Sequence, residues 1–274
     1  MNGATGFVAL GGGGVIYSLD NARTWSSGTI SSGGWRGLCQ VPGGFVAVAQ
    51  AGPNYAATSS TGSTWTTRTM SSGQWRGCTY GAGKVVAVEG FPLSPSTRAA
   101  YSTDGGVSWS YTTCPSGEWL SVTYAHTIGF VAIANGGTNR AMTSPDGITW
   151  TARTIGTKPW RDIEWDGTRL WAVEFGGEVH TSTTGLSWSK NTTLSGSLTG
   201  IGVEPSGQIG ISSEASTRLF ISDDAGVSWG APSSPVSDTW ADIVGTYTVT
   251  PTSVNPVSVG MILAGRRPAP SPDS

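Results

Sequence analysis

The sequence predicts an all-β protein, a six-bladed β-propeller of four-stranded antiparallel blades whose ring is closed by pairing of the N- and C-terminal strands. Three observations predict it. A phrase ending in tryptophan recurs six times, a second tryptophan follows most of these at a fixed distance, and four short β-prone runs fill each interval. Self-similarity at about 40 residues, with four strands per unit, is the pattern of propeller blades.

The first landmark is the set Trp25, Trp65, Trp109, Trp150, Trp188 and Trp229, spaced 38 to 44 residues apart. These residues close the phrases SLDNARTW, SSTGSTW, STDGGVSW, SPDGITW, STTGLSW and SDDAGVSW. The second landmark stands ten residues later at Trp35, Trp75, Trp119 and Trp160. Leu198 takes that place in the fifth unit, and Trp240 lies one residue further on in the sixth.

Strand by strand, the second landmark opens a run such as RGLCQV, RGCTY or LSVTY, the first strand of a blade. A glycine-containing turn leads to FVAVA, VVAVE, FVAIA or LWAVE, the second. A third run, such as AAYS or RLFIS, enters the aspartate phrase, and a fourth leaves it through TWTTRT, SWSYTT or TWTART. β-Branched and aromatic residues between Gly-, Asn- and Asp-bearing turns are what strands require. The N-terminal GFVAL aligns with a second strand, and WADIVG at 240–245 aligns with a first strand. Together they predict one composite blade that closes the ring and removes its free edges. The propeller is thus expected over residues 1–248, with a Pro-rich, partner-contacting extension at 249–274.

Composition narrows the functions. Of 274 residues only 12% are charged, and the net charge is -2, which disfavours a nucleic-acid partner. No apolar run is long enough to span a membrane, and the N-terminus lacks the basic and apolar regions of a secretory signal. Cys39, Cys78 and Cys114 have no paired spacing and are expected as buried small apolar residues, not as a zinc site or a disulfide framework. His126 and His180 occupy unrelated repeat positions and are expected at the surface. No metal ion or cofactor is expected.

The phrase S-x-D-x-G-x-T-W resembles the Asp-box, or BNR repeat, of sialidase-like propellers. Ser102 to Trp109 matches it with Ser for Thr, and Ser18 to Trp25 and Ser222 to Trp229 match with small departures. The other three are one residue shorter, and Thr61 and Thr184 replace the acid in two of them. Asp20, Asp104, Asp146 and Asp224 are therefore expected to close turns by accepting backbone hydrogen bonds, not to hold metal.

In the up-and-down path of a blade, the Trp-Arg pairs and the loops from second to third strand share one face, opposite the aspartate turns. Those loops span 49–56, 89–99, 134–141, 174–180 and 212–218. That face collects Trp35, Arg36, Trp75, Arg76, Glu89, Trp119, Asn135, Asn139, Arg140, Trp160, Arg161 and Glu174, the candidate ligand-binding set, with Glu178 and Glu214 beside them. Two readings stand. An indole face packs on a sugar ring while Arg, Glu and Asn read hydroxyls or a carboxylate. Alternatively, the tryptophans pack blade on blade and the arginines bond to loop carbonyls. Lys158 and Asp162 flank Trp160 and Arg161 and are expected to form a local ion pair.

The resemblance implies a sialidase first, but sialidases carry an RIP motif, absent here, and long unequal loops. No catalytic residue is assigned. Related propellers also serve as photosystem assembly factors, which carry export or lipid-attachment sequences, and as bacteriophage tail and capsid proteins, whose Gly-, Ser- and Thr-rich composition this chain resembles. The expectation is a non-enzymatic, virion-associated protein, assembled in the host cytoplasm, that binds host-surface glycan or another virion protein. A secreted lectin is the alternative, and a sialidase-like hydrolase the second alternative.

Overall fold

The structure is a computed structural model that describes residues 7–11, 14–19, 24–90, 95–203, 207–213 and 219–230. It is a six-bladed β-propeller built from antiparallel sheets. The first sheet holds β1 (Phe7–Gly11), β2 (Gly14–Ser18) and β3 (Ser26–Ser27). The second holds β4 (Trp35–Val41), β5 (Gly44–Ala49), β6 (Ala56–Ser59) and β7 (Thr66–Arg68). The third holds β8 (Trp75–Gly81), β9 (Lys84–Glu89), β10 (Ser96–Ser102) and β11 (Ser110–Gly117). The fourth holds β12 (Trp119–Ala125), β13 (Gly129–Ala134), β14 (Ala141–Ser144) and β15 (Thr151–Arg153). The fifth holds β16 (Trp160–Trp165), β17 (Leu170–Glu174), β18 (Glu178–Ser182) and β19 (Ser189–Thr193). The sixth holds β20 (Leu198–Val203), β21 (Ile209–Ser213) and β22 (Leu219–Ser222).

Within each sheet the strands follow chain order, each antiparallel to its neighbour. Strands β4, β8, β12, β16 and β20 lie side by side around the axis and are the innermost of their blades. The predicted closing strand at 240–245, Asp20, Glu214 and the extension at 249–274 fall outside the described residues. The loop expected at 89–99 is shorter than the sequence implied. Ser96 to Ser102 is already strand, because β11 runs on to Gly117 and gives Ser96 a partner.

The core is not central. Among the described residues it is divided into five clusters, each between two successive blades. Alternation in β5 shows why: Val46 and Val48 join the cluster shared with the third blade, while Ala47 and Ala49 join the cluster shared with the first. A strand buried on both faces reads as a continuous apolar run, which explains FVAVA and its counterparts.

The aspartate turn repeats with little variation. In five blades a buried serine hydroxyl accepts the glycine N–H at 2.8 Å: Ser59 from Gly62, Ser102 from Gly106, Ser144 from Gly147, Ser182 from Gly185 and Ser222 from Gly226. Asp104 Oδ1 accepts Val107 N–H at 3.1 Å and Ser108 N–H at 2.9 Å, and Asp146 and Asp224 accept corresponding bonds. Where the acid is missing, threonine substitutes: Thr61 Oγ1 accepts Ser63 N–H, and Thr184 Oγ1 accepts Leu186 N–H. Glycine is required on two counts. Gly106 has φ +87°, and a Cβ there would lie 2.8 Å from Val46 of the preceding blade. Gly147 meets Val86 of its preceding blade in the same way. The turn thus locks one blade onto the next.

Candidate functional site: the bulged mouth of the inner strands

Every described inner strand starts with the same irregularity. The register shifts between Trp35 and Gly37, Trp75 and Gly77, Trp119 and Ser121, Trp160 and Asp162, and Leu198 and Gly200. The skipped residue is a β-bulge, which re-aims its side chain out of the pleat. Those residues are Arg36, Arg76, Leu120, Arg161 and Thr199. The bulge answers why tryptophan and arginine are neighbours in sequence yet differ in environment. The tryptophan turns into the seam between blades, and the arginine is released toward the mouth formed by the five strand starts.

The tryptophans are buried. Trp75, Trp119 and Trp160 expose 0% of their surface and Trp35 exposes 5%. Each indole N–H donates to the carbonyl four residues back: Trp35 to Ser31, Trp75 to Ser71, Trp119 to Pro115 and Trp160 to Gly156. An indole with both faces covered offers no platform to a sugar, so the stacking role given to these four residues is corrected to blade packing. Sequence alone does not separate the readings, because an indole suits either a wet or a dry apolar surface.

The acids are engaged. Glu89 accepts both Nε and Nη2 of Arg98 at 2.8 Å, the Ser96 hydroxyl at 2.8 Å and the Gln74 N–H at 3.1 Å. Burial alone would raise its carboxyl, but the Arg98 and Ser96 bonds hold it below the ordinary range. Arg98 also lies over the Trp75 ring, 5.1 Å from its centroid. Glu174, 2% exposed, accepts Gly176 N–H at 2.7 Å and Glu178 N–H at 2.9 Å. These two carboxylates shape loops. Asn139 Nδ2 donates to Ser116 O, Asn135 Nδ2 donates to Glu118, and Arg140 donates to Asn135 O, so the loop at 134–141 is tied to residues 116–118. The predicted Lys158–Asp162 pair does not form. Lys158 pairs with Glu178 at 3.3 Å, and Asp162 turns inward. His126 is exposed and accepts the Trp165 N–H, whereas His180 packs edge-on against Trp160 and bonds to Glu178.

Three arginines also stand at the mouth. Arg36 is exposed, and Arg76 and Arg161 are half-buried. Burial, then the positive charges of Arg36 and Arg161, push the Arg76 guanidinium down to about 10. Arg76 therefore feels the charge of both, although Leu120 separates it from Arg161 in the ring order. Arg76 Nε donates to Gly90 O at 3.2 Å, and Arg161 stacks on Phe175 at 4.5 Å. Sequence reasoning missed Arg98, Phe175 and Glu118 as parts of this face, since their partners lie on other strands. Among the described residues, no group of three or more His, Cys, Asp and Glu is placed to hold a metal ion.

No protein-family model and no curated protein matches the chain. Solved structures do. YCF48 bound to a D1 peptide aligns with a TM-score of 0.63 at 17% identity, covering 88% of this chain and 86% of that one. A catalytically inactive virginiamycin B lyase from Staphylococcus aureus with quinupristin aligns at 0.70 and 14%, covering 89% of each chain. An ancestral GH74 enzyme aligns at 0.58 and 16%, covering 81% of this chain and 37% of that one. At such identities the likeness establishes the propeller fold and leaves activity open, since this fold carries both binders and enzymes.

Proposed function

We propose that this chain is a non-enzymatic binding propeller of a bacteriophage virion, and that it takes an acidic group of another virion protein at the mouth lined by Arg36, Arg76 and Arg161. The single observation that carries the reading is the repeated bulge, which delivers arginine to one face from three of five inner strands. The positive charges that reach Arg76 from Arg36 and Arg161 favour an anion beside it, and arginine presents a fork that fits a carboxylate. Glu89 and Glu174 are committed to structural bonds, which supports binding over acid–base chemistry. A propeller among the structural neighbours is described with a bound peptide. The Asp-box resemblance and the Gly-, Ser- and Thr-rich composition support the virion assignment. The second reading, an acidic host-surface glycan, rests on the same arginines and no longer on the tryptophans.

The test is incorporation and binding. Mass spectrometry of purified particles should find the protein, and Arg36→Glu, at the exposed arginine of the three, should lower its incorporation at unchanged melting temperature. Normal incorporation of the charge-reversed protein would remove the mouth from the interface. Binding of the wild type to anionic glycans on an array, lost in the same variant, would favour the second reading.

A further inference from the structure

Two thiols face each other across the seam between the second and third blades. Gly37, just past the bulge of β4, packs against the third blade: a Cβ there would lie 3.1 Å from Cys78 N and 3.0 Å from Arg76 O. Side chains alternate along a strand, so Cys39, two residues on, also faces the third blade. Gly77 of β8 packs the other way, its Cβ position 2.8 Å from Leu120 O of the fourth blade. Its neighbour Cys78 therefore faces back toward the second blade, and its Sγ lies 3.9 Å from Val46 O. Val46 is the residue paired with Cys39 across β4 and β5. Both thiols are buried in one core cluster, Cys39 at 1% and Cys78 at 8% exposure. Cys114 lies in a different seam, between the third and fourth blades.

We propose that Cys39 and Cys78 are a latent inter-blade disulfide, reduced as the chain folds and closed when it meets an oxidising medium. The oxidant is a low-molecular-weight disulfide. One cysteine thiol loses its proton and attacks that disulfide, releasing one small thiolate and leaving a mixed disulfide. The second cysteine, also deprotonated, attacks the protein-side sulfur and releases the other small thiolate. Two protein thiols are oxidised, one small disulfide is reduced to two thiols, and the protons pass to solvent or to the leaving thiolates. The inner strands β4 and β8 pack side by side, and closure brings the two sulfurs to about 2.05 Å. The bond would tie β4 to β8 three residues beyond Arg36 and two beyond Arg76. It stands or falls independently of any ligand at the mouth.

Burial slows attack on the native protein, and it pushes the Cys78 thiol well above its ordinary range. The experiment therefore treats the full chain twice with glutathione redox buffer, once native and once while refolding from denaturant. Alkylation after denaturation should find only Cys114 free, and peptide mapping should join the segments bearing Cys39 and Cys78. The oxidised protein should melt higher than the reduced one, and reductant should reverse the shift. Cys114→Ser should keep the shift, whereas Cys78→Ser and, independently, Cys39→Ala should abolish it. Three alkylatable thiols after both treatments, or a bridge that uses Cys114, would overturn the proposal.

Discussion

Asp162 Oδ2 accepts the backbone N–H of Ile201 across a blade boundary at 2.9 Å. Its Oδ1 accepts the Ser121 hydroxyl of the opposite neighbour at 2.6 Å and its own strand's Ile163 N–H at 2.9 Å. One carboxylate thus joins the inner strands of the fourth, fifth and sixth blades. The inner edge of each sheet has no further strand to pair with, so its N–H groups need other acceptors. Asp162→Ala should leave the Ile201 N–H and the Ser121 hydroxyl unsatisfied, at a cost of about 2–3 kcal/mol. Asp162→Asn, which keeps an acceptor oxygen, should lose less. Urea denaturation of both variants checks this, and equal losses would deny the carboxylate a stapling role.

Trp75 is 0% exposed and sits in the cluster between the second and third blades. Its truncation to alanine leaves a large cavity and an unmatched Ser71 carbonyl. The expected loss is about 3–5 kcal/mol. Trp75→Phe should cost less, because it keeps most of the apolar area and gives up only the indole N–H bond. Hydrogen exchange should show the loss of protection concentrated in β8 and β4. A Trp75→Ala protein of wild-type stability would mean that the indole is not a packing residue.

The repeat is legible in the sequence because its landmarks are local. A serine, an acid, a glycine and a tryptophan within eight residues make one turn, and their recurrence counts the blades without knowledge of contacts. The bulge is not legible, since register is a property of two strands and no residue type encodes the skip after Trp35 or Trp75. The candidate face can be found because chain direction alone assigns loops to faces. Its chemistry is misread where partners come from afar. Glu89 gives no sign in sequence of the two hydrogen bonds it accepts from Arg98, and Asp162 points to Lys158 by proximity while its partners lie 41 and 39 residues away.

Within the aspartate turn the glycine should matter more than the acid. Asp104→Ala removes accepted bonds from Val107, Ser108 and Ser102 at an exposed turn and should cost about 1 kcal/mol. Gly106→Ala must place a Cβ against Val46 at a left-handed φ and should cost about 2–4 kcal/mol. Val46→Ala in the Gly106→Ala background should recover part of that loss. Thermal melts of the single and double variants decide it. A Gly106→Ala protein no less stable than Asp104→Ala would contradict the locking role of the turn.

The response to pH follows from the same carboxylates, and its sign differs between two groups. Burial would raise the Asp104 carboxyl, but bonds from Ser108, Ser102 and Val107 hold it at about 2. Asp224 is held at about 2 by Ser228 and Ser222. Both values lie below the roughly 3.9 of an unfolded aspartate. The unfolded chain therefore binds protons first as pH falls. The stability these groups contribute is present above pH about 4 and is lost as the pH falls toward about 2. Glu164 behaves oppositely. Burial, and then the neighbouring Asp162, push its carboxyl well above the ordinary range despite the Thr123 bond. Here the folded protein binds the proton more tightly, so this group costs stability progressively as pH rises above about 4.3. The urea midpoint should thus fall on the acid side between pH about 4 and 2. Asp104→Asn combined with Asp224→Asn should flatten that limb by lowering the midpoint at pH 5 more than at pH 2. Glu164→Gln should leave the acid limb in place and raise the midpoint at pH 7 more than at pH 4. If Glu164→Gln shifts both midpoints equally, its effect is packing and not charge.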